Sequence, residues 1–440
     1  VESGGTGTSD ATQPNPARFG KAKPPSEATA PTLRPQRETL GRDFSLVWAG
    51  QGISAVGNAV TYLALPLVAL LELHVAAWQV GVLSAINYGT YAVVAMPVGA
   101  WLDQRSRRPY VIAADAARMM ALVSIPVAYA FGALTYTQLA VVAVVVGVFS
   151  AVFDVGYQSW FPHLVPRDAL VRANGLMGTT DSIGSLAGPG VAGVLVAAVG
   201  AAYTLGIDGV SFAVAAGASL LVRGREPVTD RQLDRPPLRT QITEGMRWLW
   251  STVILRQIMA CSATANFFLA MWTAVETVFL VRILHTRASV IGAVLSAGAV
   301  GGIVGGLLVG RVARRLGTVK MLTGAIVACG AFGVVGPLAS GPLGPWSVAV
   351  ALFGLSLTLA LYNAGAIGTR QQLAPTNLLS RATAANRVVT SGVMPFGALF
   401  GGTIATSATP RVALLVAALG FALGALWLVP ILATSTSDPR

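Results

Sequence analysis

Charge is what this chain has least of. Only 11% of its 440 residues are Asp, Glu, Lys or Arg, against 54% hydrophobic, and the mean hydropathy is +0.66. That balance excludes a water-soluble fold of this length and makes the chain a polytopic membrane protein. Histidine is scarce too: His74, His163 and His285 stand at no ligand spacing and no His-Glu-x-x-His occurs, which excludes a zinc hydrolase site. The two cysteines, Cys261 and Cys329, fall in apolar stretches where a thiol is a small packing residue, so neither a disulfide framework nor a metal site follows. There is no Gly-Lys-Ser/Thr phosphate loop, so ATP does not drive the chain directly. No cofactor is called for, and no enzyme reading survives.

What is present is apolar length. A bilayer core about 30 Å thick takes roughly 20 residues per helix. Twelve stretches fit: 44–71, 78–101, 109–131, 137–160, 172–199, 202–222, 254–284, 288–310, 318–339, 344–368, 383–407 and 409–433. They do not alternate as barrel strands would. The expected fold is therefore an all-α membrane protein of twelve transmembrane helices. Prolines inside the spans (Pro66, Pro97, Pro126, Pro189, Pro395, Pro430) fit a bundle whose neighbouring helices satisfy the freed backbone groups.

The net charge of +12 invites a nucleic-acid reading, which the distribution of the basic residues disfavours. With the N-terminus inside, 26 of the 30 Lys+Arg fall on one side of the membrane. That is the positive-inside pattern, and it predicts both termini in the cytoplasm and a basic inner face beside anionic lipid in the cell membrane. Residues 1–43, rich in proline, read as a disordered cytoplasmic tail, and residues 434–440 as a second tail. A basic loop, 223–253, divides a half spanning 44–222 from a half spanning 254–433. Its end, EGMRWLW from Glu244 to Trp250, reads either as an amphipathic helix on the inner leaflet or as plain linker.

The two halves carry the same landmarks. GAWLDQRSRR (Gly99–Arg108) is echoed by GRVARRLGTV (Gly310–Val319), an offset of 211, although Arg314 stands where the first copy has Asp103. LVPRDALVRA (Leu164–Ala173) matches LAPTNLLSRA (Leu373–Ala382) at an offset of 209. Two loops shifting together point to two pseudo-symmetric six-helix halves in parallel orientation, the arrangement in which substrate binds between rocking halves.

Those landmarks resemble the major facilitator superfamily. Gly99, Asp103, Arg107 and Arg108 are similar to its motif A, with Ser106 where glycine is usual. The resemblance implies a cytoplasmic gate in which the acid meets the start of span eleven and the arginines meet an acid of span four, here Asp154. Gly175, Gly184, Gly188, Pro189 and Gly193 are similar to motif C, the antiporter pattern, with Ala192 for one glycine. Small residues at that spacing let helices approach closely, expected here across the seam between halves. SAVGNAVTYLALP (Ser54–Pro66), DAARMM (Asp115–Met120) and FDVGYQSWFPHLVP (Phe153–Pro166) resemble the branch of macrolide-efflux and siderophore-export proteins.

Five ionisable groups fall within spans, where each costs roughly 2.5–3.5 kcal/mol at a helix centre and needs a partner or a wet cavity. Asp115 and Arg118, three apart, pair along one face, either as a self-contained ion pair or as part of proton coupling. Asp154 is expected at the gate. Asp181 stands at i−3 from Gly184 and about 13 Å into span five, so it is expected buried near the midplane. A carboxylate buried without a cation favours its neutral form, as a proton-coupling group needs; the other reading bonds it to Thr or Ser hydroxyls. Glu276 is the alternative carrier, or it snorkels to the outer surface. Asn58, Tyr62, Tyr157, Asn266, Trp272, Tyr362 and Asn363 are the candidate cavity lining, aromatics and amides suited to a bulky apolar or cationic compound, or else helix packing. The expectation is a monomeric proton-driven exporter of small, largely apolar compounds such as an antibiotic. The alternatives are a siderophore or metabolite exporter, an uptake symporter of the same fold, and a non-transporting sensor or assembly protein.

Overall fold

The computed structural model describes residues 40–102, 105–224, 238–375 and 378–436. The first six spans are α1 (Arg42–Leu67), α2 (Ala77–Leu102), α3 (Arg108–Ala130), α4 (Tyr136–Trp160), α5 (Leu170–Val199) and α6 (Ala201–Leu220). A short helix, α7 (Leu238–Ser251), follows. The second set is α8 (Val253–Arg282), α9 (Ala288–Leu316), α10 (Thr318–Val335), α11 (Gly344–Leu373), α12 (Leu379–Gly392) with α13 (Met394–Ser407), and α14 (Pro410–Gly424) with α15 (Val429–Thr436). Twelve helical spans among the described residues are long and apolar enough to cross a bilayer. At 1.5 Å per residue, the 26 residues of α1 reach about 39 Å, more than the hydrocarbon core needs.

Local chemistry sets where the helices bend. Pro66 cannot donate to the carbonyl one turn back, and α1 opens beyond it into a wide π turn over Val68–Glu72. The expected eleventh span is broken at Val393, two residues before Pro395, and the twelfth passes through a 3-10 turn at Ala425–Leu428. Gly200 and Gly317 each join two helices through a single residue at φ 87° and 76°, a conformation that glycine adopts without cost. Among the described residues, the two positive-φ residues other than glycine are His74 and His285, again 211 positions apart, so the duplication reaches the turns after α1 and α8.

Packing repeats the sequence symmetry. α1 lies against α5 and α6 as α8 lies against α13 and α14; α3 packs on α4 and α6 as α10 packs on α11 and α14. The halves meet along two matching seams, α5 with α9 and α2 with α13. At each a glycine faces a glycine. A Cβ on Gly193 would lie 2.6 Å from the Ala288 carbonyl oxygen and 3.0 Å from Gly292 Cα; one on Gly81 would lie 2.8 Å from the Ala398 oxygen and 2.9 Å from Gly402 Cα. These contacts are at the end opposite α7. Farther along the first seam, Gly175 and Gly178 of α5 and Gly306 of α9 meet nothing within 4 Å, so it parts toward the end carrying α7 and the arginine-rich turns.

Within the basic loop, Glu244–Trp250 is helical and belongs to α7. Gly245 lets α7 settle on the backbone of Arg381 and Ala382, Leu249 packs with Leu255, Met259 and Ala385, and Glu244 pairs with Arg381. The helix is docked on the start of span eleven, with Trp250 left exposed.

Candidate functional site

Between the halves, α1, α2, α4 and α8 enclose a cavity of about 230 Å³. Asn58, Thr61 and Tyr62 come from α1, Asn87 and Tyr88 from α2, Ser150 from α4, and Thr273 and Thr277 from α8. On α1 the three polar lining residues fall within five positions, a little over one turn, so one helix face supplies an amide, a hydroxyl and a phenol. Tyr88 and Thr273 share a hydrogen bond of 3.1 Å across the halves. Behind this wall sits Glu276, 2% exposed: the Tyr62 hydroxyl donates to its Oε1 at 3.4 Å, and its Oε2 is buried without a hydrogen-bond partner. The snorkelling alternative for Glu276 is thereby corrected. Its side chain is held inside the bundle, and the arginine one and a half turns on, Arg282, donates to the Val75 carbonyl instead.

Only two of the seven candidate lining residues, Asn58 and Tyr62, line this cavity. Trp272 is fully buried against Gly336, and Tyr362 is buried with its hydroxyl bonded to Ser262 and to the Ile258 carbonyl, both at 2.9 Å. Tyr362 is held by packing here, and Trp272 stands one turn before Glu276 with its indole within reach of that carboxyl. Tyr157 lies between Phe153 and Phe161 with its hydroxyl on Met177 sulfur at 3.5 Å, while Asn266 is half-buried and Asn363 exposed. The aromatic pattern found buried rings; which of them border a void depends on helix rotation, which periodicity does not give.

The motif C glycines divide between two jobs. Gly184 and Gly188 receive Ala55 and Ala59 of α1, inside the same half, because α5 turns that face toward α1. Gly193 meets α9 across the seam, the Pro189 carbonyl presses on Gly292, and Gly175 has no neighbour within 4 Å. The expectation that the whole motif lies at the seam is corrected accordingly. Asp181, expected buried, is exposed, because it lies on the part of α5 where the halves have separated.

The gate residues are also rearranged. Asp103 lies outside the described residues. Gly99 has one neighbour, Val155 Cγ1, at 3.8 Å, so no close helix crossing occurs there. Arg108 donates to the carbonyls of Ser219 and Leu220 at 3.1 and 2.9 Å and caps the C-terminus of α6, where a cation meets the negative helix end. Arg107 is half-buried at the head of α3. Asp154 faces Tyr91 of α2, whose hydroxyl accepts from Arg387 of α12 at 3.1 Å, a polar link across the halves. Tyr91 and Arg387 were not legible as partners, since nothing in their spacing joins residues 296 positions apart.

Asp115 and Arg118 form a buried ion pair on α3, and the guanidinium lies over Phe153 and Phe212 at 4.5 and 4.2 Å from the ring centroids. A sixth intramembrane charge escaped the sequence reading: Asp208 of α6, 1% exposed, accepts from Ser211 Oγ at 2.8 Å and from Thr61 Oγ1. Its signal was available, an acid in mid-span between Ile207 and Gly209.

The family model described as Major Facilitator Superfamily matches residues 47–394. The chain belongs to the major facilitator superfamily. It is a membrane protein of this transporter superfamily, not an enzyme, and twelve helices among the described residues are long and apolar enough to cross the bilayer. Among curated proteins it is similar to the multidrug efflux pump Tap of Mycolicibacterium fortuitum, 24% identical over 367 residues, covering 81% of this chain and 87% of that one. It is also similar to Tap of Mycobacterium tuberculosis strain H37Rv, 25% identical over 276 residues, covering 60% of this chain and 65% of that relative's length. Among solved structures it shares its fold with a bacterial homologue of the iron transporter ferroportin in an inward-facing state, TM-score 0.73 at 16% identity, covering 89% of this chain and 99% of that chain. Nucleoside transporter NupG has a TM-score of 0.69 at 12% identity, with the same coverage.

Proposed function

We propose that this superfamily member exports small, largely apolar compounds, cations among them, from the cell in exchange for protons. The observation that carries the reading is Glu276. It is a buried acid with one oxygen unsatisfied and the other held by a tyrosine of the cavity wall, between two halves sealed at one end and parted at the other. With the basic end in the cytoplasm, as the positive-inside pattern has it, the parted end admits cargo from inside. A proton and a cationic or dipolar ligand then compete for one negative site, and such mutual exclusion is a coupling free energy between them. Glu276 is the coupling acid in this reading, and Asp181, exposed on the parted face of α5, receives protons at the inner mouth. The motif C glycines and the similarity to multidrug efflux pump Tap favour export over uptake.

The test is transport in everted vesicles and accumulation in a pump-deficient host challenged with antibiotics, dyes and siderophores. Wild type lowers accumulation of at least one compound and moves it against a pH gradient. Glu276→Gln keeps membrane insertion but loses proton-driven flux at least about tenfold, the loss of roughly one charge-assisted interaction. Uptake in place of efflux, or full pH-driven flux in the Gln variant, overturns the assignment.

A further inference from the structure

The interior of the first half is short of positive charge. Arg118 stands within electrostatic reach of three carboxylates, Asp115, Asp154 and Asp208. It is committed to Asp115 and to the faces of Phe153 and Phe212, while its own Nε and the Asp115 Oδ2 remain buried without hydrogen-bond partners. Asp208 makes no ion pair among the described residues. Its two oxygens rest on two hydroxyls, Ser211 on Oδ1 and Thr61 on Oδ2, in a notch that exists because Gly57 has no side chain: a Cβ there would overlap the carboxylate. From the other elements around it, α3 contributes Asp115 and Arg118, and α4 contributes Asp154 through Arg118. α1, α5 and α6 also border a groove that Asp208 lines, to which α5 contributes the uncharged Thr180, Val191 and Leu195.

Thr61 belongs to two places at once. It is the partner of Asp208 and it lines the central cavity. An ionised carboxylate only accepts hydrogen bonds, so the single Thr61 O–H is committed to it, and the hydroxyl shows the cavity lone pairs alone. When Asp208 Oδ2 takes up a proton it becomes a donor. Thr61 then accepts from it, and the freed Thr61 O–H turns toward the cavity. One proton is bound, no covalent bond other than that O–H is made or broken, and one atom of the cavity wall gives up a lone pair and turns an O–H donor toward the cavity.

We propose that Asp208 is a positioning residue that sets the polarity of Thr61, so that this hydroxyl presents only lone pairs to a cation bearing N–H donors while Asp208 is ionised and presents its own O–H once Asp208 is protonated. This rests on the proton-coupled export reading and names its cargo class: compounds with an ammonium or aryl-amine donor, bound in a cavity with no Lys or Arg in its lining. Protonation then weakens the hold on cargo from behind the wall, without the proton entering the space that the cargo occupies.

Two probes separate the donor from the charge: ethidium, a cation with N–H groups, and tetraphenylphosphonium, a cation with none. Binding to purified protein in nanodiscs is measured at about pH 8 and about pH 5.5 for wild type, Asp208→Asn, Thr61→Val and Thr61→Ser. Between the two probes the wild type loses more ethidium than tetraphenylphosphonium affinity on acidification, by about tenfold, one charge-assisted hydrogen bond. Asp208→Asn and Thr61→Val erase that excess, and Thr61→Ser restores it. Thr61→Val leaves tetraphenylphosphonium unchanged at both pH values, which a merely structural role of the hydroxyl would not do. A full ethidium excess in Thr61→Val, or equal losses of both probes, overturns the inference and leaves export standing. If wild-type proteoliposomes move neither cation under a pH gradient, the export reading fails and this one with it.

Discussion

Adding one methyl group at Gly193 should open the protein rather than unfold it. The new Cβ would stand 2.6 Å from the Ala288 carbonyl oxygen and 3.0 Å from Gly292 Cα, where unstrained contact begins at 3.4 Å. Both neighbours are backbone, which cannot step aside as a side-chain tip does, so α5 and α9 must separate by about 0.8 Å at that level. Overpacking of this kind costs roughly 1–3 kcal/mol, but only in the state with the seam closed. At 1.4 kcal/mol per tenfold, Gly193→Ala shifts the balance toward the seam-open state by about fivefold to about 150-fold. Gly188→Ala is the control. Its methyl meets Ala59 of α1 inside one half, a contact that no rocking motion relieves, so the same order of cost falls on folding. Spin labels at Ala133→Cys and Ser340→Cys, both in turns at the sealed end, report the separation by pulsed dipolar spectroscopy; the native Cys261 and Cys329 are buried and stay unlabelled. The expected result is a longer-distance population in Gly193→Ala with little change in thermal stability, and the reverse in Gly188→Ala. An unchanged distance distribution in Gly193→Ala, with stability lowered as far as in Gly188→Ala, refutes the assignment of this glycine to a moving seam.

Two further outcomes follow from contacts at the basic end. Arg108→Gln removes two charge-assisted bonds to the last carbonyls of α6 and lowers stability by about 1–3 kcal/mol, read as a shift in thermal unfolding, with Arg108→Lys recovering only part because one ammonium does not reproduce the guanidinium fork. The Glu244–Arg381 pair is 41% and 29% exposed, so Glu244→Gln costs under about 1 kcal/mol and leaves transport within about twofold. Gly245→Leu, in contrast, drives a side chain into the Arg381 backbone and detaches α7, seen as new protease cleavage between Leu238 and Ser251.

The spans, the duplication and the family were legible because each rests on a sum over many residues: twelve apolar lengths, two loops at matching offsets, four glycines and a proline in register. The site was legible only in part, because it depends on single side chains and on helix rotation. Asn58 and Tyr62, polar groups one turn apart on a largely apolar stretch of α1, line the central cavity. Asp181 was expected buried from its helical face, but burial on α5 changes along the helix as the halves diverge, and sequence carries no record of which end is sealed. The contact of Arg108 with the end of α6 was not legible, because that end arrives from 111 residues away in the chain. Asp208 was overlooked for a simpler reason. It sits in the middle of its span like the other intramembrane charges and needed only to be counted.

The paired glycine contacts decide what can act on the sealed end. Where Gly193 meets Gly292 and Gly81 meets Gly402, the surfaces in contact are peptide backbone. Backbone neither titrates nor sheds counterions, so these glycine contacts do not themselves respond to acidity or ionic strength, while Arg282 on the Val75 carbonyl sets one charge between the halves beside them. In the proposed proton-coupled cycle the proton acts on the acids of the core, and these glycine contacts only hold the end that the cycle opens.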